Sequence, residues 1–300
     1  MATITSKQLR EFLAPYRITK GKDFRLADHD PADTGGLGDG RKQDAKDLLA
    51  RGVEWLAEEQ GKLYAQDRWS VLLIFQAMDA AGKDGTIKHV MSGVNPQGVQ
   101  VMSFKAPSAE ELDHDFMWRC LKRLPERGRI GIFNRSYYEE VLVVRVHEGL
   151  LAKQRLPADL VTGKIWRERC EDIVAIERYL ARNGYLILKF FLNLSRNEQK
   201  ERFLARLDNP DKHWKFSTAD AKERGYWPAY MKAYERMIRR TATPHAPWYV
   251  VPADKKWFSR LVVAAAVVEA IERLDLHFPE VGEARRQELQ EARRLLVEED

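Results

Sequence analysis

A small-residue segment with one aspartate and one lysine at its centre follows an apolar run in the first third of the chain. Residues 75–88 read Phe-Gln-Ala-Met-Asp-Ala-Ala-Gly-Lys-Asp-Gly-Thr-Ile-Lys, directly after Val-Leu-Leu-Ile. A buried strand that leads through such a loop into a helix is typical of a phosphate-binding loop, because backbone N–H groups and the helix N-terminus carry partial positive charge. Lys83 adds a full charge. The pattern therefore favours phosphoryl transfer.

The segment departs at two positions from the usual phosphate-loop pattern, G-x-x-x-x-G-K-[ST]. Ala77 replaces the first glycine, and Asp84 replaces the hydroxyl residue that binds magnesium. Asp79 lies at the mouth of the predicted site, where a carboxylate can hold Mg²⁺ and orient phosphate oxygens. A structural strand-to-helix turn, with Asp79 as an Asx-turn residue, is the alternative. The residues predicted to bind phosphate are Ala81, Gly82, Lys83, Asp84, Gly85 and Thr86.

A second polar group follows another apolar run. Asn134 stands where P-loop enzymes usually carry the acidic residue of their second motif, and Glu139, one helical turn later, can supply the missing charge. Arg135 presents a planar fork suited to bidentate phosphate contact. We predict Asp79 and Glu139 as metal ligands, for Mg²⁺ or alternatively Mn²⁺. Glu140, next to Glu139, is expected to face solvent.

Helices and strands alternate along the part of the chain that carries these residues. Apolar runs predict strands at 71–75, 99–104, 129–133, 185–192 and 248–251. Periodicity predicts helices at 43–64, 84–91, 162–182 and 255–274, and Ser108 with Glu111 forms a capping box that starts another. This alternation predicts an α/β fold with a parallel sheet covered by helices on both faces. Together with the phosphate loop, this makes the predicted fold P-loop kinase-like.

We divide the chain into three parts. Residues 1–65 form an N-terminal extension with a leading helix, residues 66–280 form the phosphotransferase domain, and residues 281–300 form a C-terminal helix. Within the domain, residues 207–230 are polar, basic and interrupted by Pro210 and Pro228. Their place in the chain suits a helical lid over a phosphate site, and a plain surface loop is the alternative.

Composition and charge limit the partners. A net charge of +5 is too mild to indicate a nucleic-acid coat, and two cysteines provide neither a disulfide framework nor metal spacing. The first residues lack an apolar signal core and no apolar stretch is long enough to span a membrane, so we expect a cytoplasmic protein. Between residues 195 and 260, fifteen Lys and Arg accompany eight Asp and Glu. This excess favours a polyanionic ligand, although a solvated helical surface is the alternative.

Three ordered motifs together resemble the polyphosphate kinase 2 family. They are Met-Asp-Ala-Ala-Gly-Lys-Asp-Gly-Thr-Ile at 78–87, Phe-Asn-Arg-Ser-Tyr-Tyr-Glu-Glu-Val at 133–141 and Asp-Asn-Pro-Asp-Lys-His-Trp-Lys-Phe-Ser at 208–217. The resemblance implies Mg²⁺-dependent phosphoryl transfer between inorganic polyphosphate and a nucleotide, with Lys83 and Asp79 in phosphate and metal binding. The pairing of Asn134 with Glu139 resembles the subgroup that phosphorylates both AMP and ADP, as does the segment 24–34.

The resemblance also implies roles for further residues. Phe104 and Lys105 are expected near the nucleobase, with a core position as the alternative for the ring. GMP or GDP as further acceptors and a homo-oligomeric state follow from the same resemblance. The cations expected along a polyphosphate groove or on the lid are Arg196, Arg202, Arg206, Lys212 and Lys215.

Two other functions remain open at this point. One is an ATP-dependent nucleotide kinase of the thymidylate kinase type, which shares the loop and the lid. The other is a non-catalytic polyanion-binding protein built on a P-loop. The joint presence of Asp79, Lys83 and Arg135 argues against the second, since mere binding does not require this set.

Overall fold

The structure is a computed structural model that describes residues 5–299, without the side chains of Asp39 and Lys215. Six strands form one sheet, in the order β1-β6-β5-β2-β4-β3. The strands are β1 (Arg17–Ile18), β2 (Ser70–Ala77), β3 (Val99–Ser103), β4 (Ile130–Asn134), β5 (Tyr185–Asn193) and β6 (Trp248–Pro252).

Helices surround the sheet. Those before β5 are α1 (Ser6–Leu13), α2 (Lys42–Gln66), α3 (Lys83–Val90), α4 (Ala109–Leu112), α5 (Trp118–Leu121), α6 (Val143–Val146), α7 (Gly149–Ala152) and α8 (Ile165–Arg182). Those after β5 are α9 (Arg196–Leu207), α10 (Thr218–Glu223), α11 (Trp227–Thr241), α12 (Lys256–Glu272) and α13 (Glu283–Val297).

Strands β2 to β6 pair in parallel, which confirms the predicted fold class. Strand β1 is the exception, because it pairs antiparallel with β6 through Arg17 opposite Tyr249. A strand of two residues is too short to show alternation in sequence, so the prediction of a parallel sheet missed this edge.

Strand β2 supplies side chains to two cores because successive residues of a strand point to opposite faces. Val71 and Leu73 belong to the core beneath α2 and α12. Leu72 and Ile74 belong to the core beneath α8 and α11. Each fully buried aliphatic side chain stabilises the fold by about 1.5–3 kcal/mol. The end of β2, where the phosphate loop begins, is therefore rigidly placed.

The lid range predicted at 207–230 contains several short elements. A 3-10 turn spans Pro210–Lys215, α10 follows, and a second 3-10 turn spans Arg224–Tyr226. Helix α11 begins at Trp227, with a proline in its first turn, where a missing N–H is tolerated. The range is thus mostly helical, and its last residues already belong to α11.

Two further predictions concern the ends of helices and the membrane. Ser108 and Glu111 do form the predicted capping box, but α4 after them is a single turn. Helix α13 lies within the predicted C-terminal segment and is exposed along its length. Within residues 5–299, no helix combines the length and the apolar character that a membrane span requires.

Candidate active site

The phosphate loop joins β2 to α3 at the carboxyl end of the sheet. Gly82 has φ +100 and Ala80 has φ +63, both in the left-handed region. Glycine adopts this region freely, but a residue with a Cβ pays about 1–2 kcal/mol there. Such backbone strain persists only where the surrounding structure holds it in place.

Lys83 begins α3 and folds back over the loop, where its Nζ donates to the Ala77 carbonyl at 3.1 Å. Burial lowers the pKa of Lys83, and the nearby Arg135 guanidinium lowers it further, while the carboxylates of Asp79, Glu139 and Asp84 raise it. The net shift is downward. The lysine is therefore within electrostatic reach of the other charged groups predicted for the site.

Arg135 joins the two predicted metal ligands. Its Nη2 lies 3.1 Å from Asp79 Oδ1 and its Nη1 lies 3.7 Å from Glu139 Oε2. Burial acts to lower the pKa of Arg135, but the two carboxylates outweigh it and raise that pKa. The backbone of Arg135 is also left-handed, with φ +65, as the chain turns sharply after β4. The structure thus brings Asp79, Lys83, Arg135 and Glu139 to one place.

Glu139 is held by Gln76, a fully buried amide near the end of β2. With its nitrogen facing the carboxylate, Gln76 donates to Glu139 Oε1 at 2.8 Å and accepts from the Ser136 N–H at 3.1 Å. Burial raises the pKa of Glu139, and the charges of Arg135 and Lys83 offset only part of that rise. The sequence analysis missed Gln76, although an amide that extends an apolar strand is a visible signal.

Asn134 and Asp84 contact each other across the loop. Asn134 Nδ2 donates to Asp84 Oδ1 at 2.7 Å. A carboxylate at position 134 would instead place like charge against Asp84, which destabilises both ionised forms. The neutral amide therefore fits its neighbour in this chain.

A cavity of about 1030 Å³ opens beside the loop. Glu139 and Arg196 are absent from its lining, and the side chain of Lys215 lies outside the described part of the structure. The predicted site residues that line the cavity are Asp79, Ala81, Gly82, Lys83, Asp84, Gly85, Thr86, Phe104, Lys105, Asn134, Arg135, Arg202, Arg206 and Lys212.

The expected nucleobase residues differ in exposure. Phe104 is only 8 % exposed, packs edge-to-face on Phe133 at 4.9 Å and lies under the Arg119 guanidinium at 5.1 Å. Lys105 is exposed and lines the cavity. The ring of Phe104 is therefore mostly a core group, and its contact with a nucleobase stays a prediction.

Helix α12 brings cations that the sequence analysis did not assign. Lys256 and Arg260 lie in its first two turns and line the same cavity. Burial lowers the pKa of both groups. The available signal was the basic start of a helix directly after β6, because the carboxyl ends of parallel strands share one edge of the sheet.

Glu140 is buried, so the prediction that it faces solvent is wrong. Its side chain is 10 % exposed, and its Oε2 accepts from Arg169 Nη1 at 2.5 Å and from Gln154 Nε2 at 2.7 Å. Residues 137–141 form a 3-10 turn rather than an α-helix, which changes the directions of successive side chains. The arginine and the glutamine satisfy the buried carboxylate.

A second buried group lies next to this turn, and we call it the buried lysine cluster: Lys189, Glu177, Tyr137 and Tyr138. Lys189 Nζ donates to Glu177 Oε2 at 2.6 Å, to Tyr138 Oη at 2.9 Å and to the Thr241 carbonyl at 2.8 Å. Both tyrosine hydroxyls donate to Glu177 Oε1, at 3.0 and 2.7 Å. The cluster fixes the two residues that precede Glu139 in the chain.

The chemistry of Asp79 and Glu139 suits a magnesium site that substrate phosphates would complete. Residues 5–299 hold no group of three or more His, Cys, Asp or Glu that could bind a metal ion by themselves. The two carboxylates meet one guanidinium, and their side chains are 36 % and 24 % exposed. Magnesium commonly uses one or two carboxylates together with phosphate oxygens.

The loop after a central parallel strand and the cationic cavity beside it define a P-loop kinase-like protein. A family model described as Polyphosphate kinase 2 (PPK2) matches residues 40–279. The chain belongs to the polyphosphate kinase 2 family, which confirms the resemblance in its motifs.

Similar proteins share most of their length with this chain. The ADP-polyphosphate phosphotransferase of Rhodopseudomonas palustris is 54 % identical over 257 residues, 85 % of this chain and 89 % of the relative. The AMP/ADP-polyphosphate phosphotransferase of Meiothermus ruber is 44 % identical over 265 residues, 88 % of this chain and 95 % of the relative. A crystal structure of Polyphosphate Kinase 2 from Arthrobacter aurescens TC1 aligns with a TM-score of 0.85 and 42 % identity, covering 100 % of this chain and 99 % of the other.

Proposed function

We propose that this protein transfers phosphoryl groups between inorganic polyphosphate and AMP or ADP, reversibly. The observation that carries the proposal is the contact of one guanidinium, Arg135, with both Asp79 and Glu139 beside Lys83. Two similar proteins are named as phosphotransferases that use polyphosphate with ADP or with AMP and ADP.

Phosphoryl transfer asks a protein mainly for alignment and for stabilisation of charge. Lys83, Arg135 and the N–H groups of the phosphate loop would neutralise the transferred group. Asp79 and Glu139 would hold Mg²⁺ (or Mn²⁺), which offsets the charge of the phosphate oxygens when it is bound. Asn134 would keep Asp84 in place through its hydrogen bond.

The cavity lining offers cations for two phosphate-bearing substrates. Arg206 and Lys212 line it together with Lys256 and Arg260, and a chain with one negative charge per phosphate needs such a track. Lys105, after β3, lines it as well. We assign polyphosphate to the first four cations and the nucleotide to Lys105.

Other features of the proposal rest on relatives and composition. One relative, 36 % identical over 191 residues, is named as a GDP-polyphosphate phosphotransferase, so guanine nucleotides are proposed as further acceptors. We also propose a cytoplasmic homo-oligomer with neither nucleic-acid nor membrane partners. Light scattering on the purified protein measures the oligomeric state directly.

The test is turnover of purified protein with Mg²⁺, polyphosphate and either AMP or ADP as the only nucleotide, followed by ³¹P NMR. The proposal expects ADP and then ATP to appear from AMP. Formation of nucleotide only when ATP is the donor would support the thymidylate kinase type instead. Tight polyphosphate binding without turnover would support a non-catalytic protein.

A further inference from the structure

Two buried side chains of α9 hold the carbonyl groups of the phosphate loop. Gln199 Nε2 donates to the Asp79 carbonyl at 2.9 Å. Arg202 Nη1 donates to the carbonyls of Ala80 at 2.9 Å and Ala81 at 3.0 Å. Gln199 is 1 % exposed and Arg202 is 7 % exposed. Three successive carbonyls of the loop are therefore bound on the α9 side.

The remaining donors of Arg202 are also used within the protein. Its Nε donates to Glu198 Oε1 at 2.8 Å, and its Nη2 donates to the carbonyls of Ala253 at 2.6 Å and Asp254 at 3.1 Å. Every N–H direction of the guanidinium fork thus has a protein acceptor. Although Arg202 lines the cavity, in this structure it has no donor left for a phosphate.

The direction of the loop carbonyls decides whether the loop attracts or repels an anion. A carbonyl oxygen turned into the cavity would face a phosphate with negative partial charge. With those carbonyls held by α9, the N–H groups of Ala80, Gly82 and Lys83 have no hydrogen-bond partner within residues 5–299. The left-handed backbone of Ala80 is the kind of strained conformation that needs such external support.

The orientation of the Gln199 amide is fixed from its other side. Arg224, in the 3-10 turn after α10, donates through Nη1 to Gln199 Oε1 at 2.7 Å and to the Arg196 carbonyl at 3.1 Å. Because the oxygen of the amide accepts from Arg224, its nitrogen faces the Asp79 carbonyl. The predicted lid range is thus tied to the phosphate loop through one side chain.

We propose that Gln199 and Arg202 are positioning residues: they hold the loop carbonyls of Asp79, Ala80 and Ala81 on α9 so that the loop keeps its anion-binding form. Neither side chain touches the transferred phosphoryl group. This role differs from the polyphosphate contact that the family resemblance implies for Arg202. The inference rests on the proposed polyphosphate-dependent activity.

Arg202→Lys and Arg202→Met distinguish a positioning role of the guanidinium group from a role of its positive charge. Lysine keeps the positive charge but cannot reach all the carbonyls that the planar fork holds. Both variants should lower kcat/KM for polyphosphate by about 100-fold, the effect expected when reacting groups shift by about 1 Å. The slope of log KM against log salt should stay that of the wild type, since no phosphate contact is lost.

Arg206 provides the matched control, because it lies one turn further along α9 and lines the cavity. Arg206→Lys should raise KM for polyphosphate a few-fold and keep its salt dependence, because the charge is retained, and Arg206→Met should raise KM further and flatten its salt dependence. Thermal unfolding of all four variants shows whether each one folds.

Gln199→Glu tests the same inference without changing side-chain size. It keeps an acceptor for Arg224 but removes the donor to the Asp79 carbonyl. We expect kcat to fall about tenfold, as for the loss of an aligning hydrogen bond. Hydrogen–deuterium exchange should become faster in the peptide that covers residues 78–86 and stay unchanged in β5 and β6.

Near-normal activity of Arg202→Lys, combined with a flatter salt dependence of Arg202→Met, would overturn the inference and make Arg202 a polyphosphate ligand. Unchanged exchange of residues 78–86 in both Gln199→Glu and Arg202→Lys would overturn it as well. Absence of polyphosphate turnover by the wild-type protein would contradict the proposed function instead. The exchange experiment would still show whether Gln199 and Arg202 hold the loop carbonyls.

Discussion

Two clusters of opposite charges lie on either side of one short turn, and they differ in exposure. In the buried lysine cluster, Lys189 and Glu177 are 0 % exposed. In the second, which we call the open cluster, the side chains of Arg135, Asp79 and Glu139 are 41 %, 36 % and 24 % exposed. Both clusters combine a cation with at least one carboxylate at close range.

The difference lies in the hydrogen-bonding capacity that remains. Lys189 has three acceptors, and Glu177 accepts from the lysine and from two tyrosine hydroxyls, so the protein satisfies both groups. In the open cluster, Asp79 and Arg135 line the cavity and keep hydrogen-bonding groups without a partner in the described part of the protein. The same residue types therefore support structure where their hydrogen-bonding capacity is exhausted, and we propose that they support chemistry where it is not. The two clusters meet at Tyr137–Val141, which carries Glu139.

The largest expected effect comes from Lys83→Met next to the open cluster. It should lower turnover by about 10³-fold, because the variant loses the charge that we propose to stabilise the transferred phosphoryl group. The melting temperature should stay within about 2 °C, since methionine fills a similar volume. Steady-state kinetics and calorimetry on one preparation measure both. Lys88→Met, on the exposed side of the same helix, is the control and should behave as wild type; near-normal turnover of Lys83→Met would remove the lysine from the site.

The buried lysine cluster should respond in stability. Lys189→Met leaves the Glu177 carboxylate buried without its cation, which costs about 3–5 kcal/mol of unfolding free energy. The double variant Lys189→Met with Glu177→Leu should regain part of that loss, because no buried charge remains. Urea unfolding measures both free energies. A single variant as stable as wild type would show that the pair contributes little.

The pH dependence of the activity should follow the ionisation of Glu139. Burial raises the pKa of Glu139, so protonation begins at a higher pH than for an ordinary glutamate. Activity should therefore fall as the pH is lowered through that raised pKa, because the proposed metal ligand must be ionised. A tenfold increase in Mg²⁺ should move this acid limb downward by up to about 1 pH unit, since metal and proton compete. An acid limb whose position does not change with the Mg²⁺ concentration would argue against Glu139 as a ligand of the metal ion.

The same shift has a consequence for stability. A carboxyl group with a folded-state pKa above its unfolded value stabilises the fold at low pH, and that contribution is lost as the pH rises through the folded pKa. The ionised Glu139 therefore opposes folding at neutral pH. Glu139→Gln should leave the melting temperature unchanged or raised at pH 7.

The smallest expected effect belongs to Lys212, an exposed cation of the cavity. Lys212→Met should raise KM for polyphosphate by about two- to fivefold at low salt, because an exposed charge contributes about 1 kcal/mol or less. The difference from wild type should shrink as salt screens the contact. A large effect that persists at high salt would place Lys212 in the site itself.

Much of the fold could be predicted from the sequence because it depends on patterns among residues that are close together in the chain. The continuous apolar strands and the small-residue loop of 78–82 are visible in short windows of sequence. The meeting of Asp79 with Arg135 could also be expected, since both follow parallel strands whose carboxyl ends share an edge.

The predictions that were wrong or missing depend on contacts between residues that are far apart in the sequence. Glu140 is buried because Arg169 reaches it from α8. The loop carbonyls are held by Gln199 and Arg202, which lie about 120 positions further along the chain. Gln76 is assigned a role only once Glu139 lies opposite it. Such pairings depend on tertiary packing, which periodicity in one sequence does not report.

The most direct test compares two matched substitutions, Glu139→Gln and Glu177→Gln, with kcat and urea unfolding measured on the same preparations. The account predicts that Glu139→Gln loses about 100-fold in kcat at full stability. It predicts that Glu177→Gln loses about 3 kcal/mol or more of stability while the folded molecules keep kcat within a few-fold. Full turnover of Glu139→Gln, or loss of turnover by a fully stable Glu177→Gln, would contradict the division between an open catalytic cluster and a buried structural one.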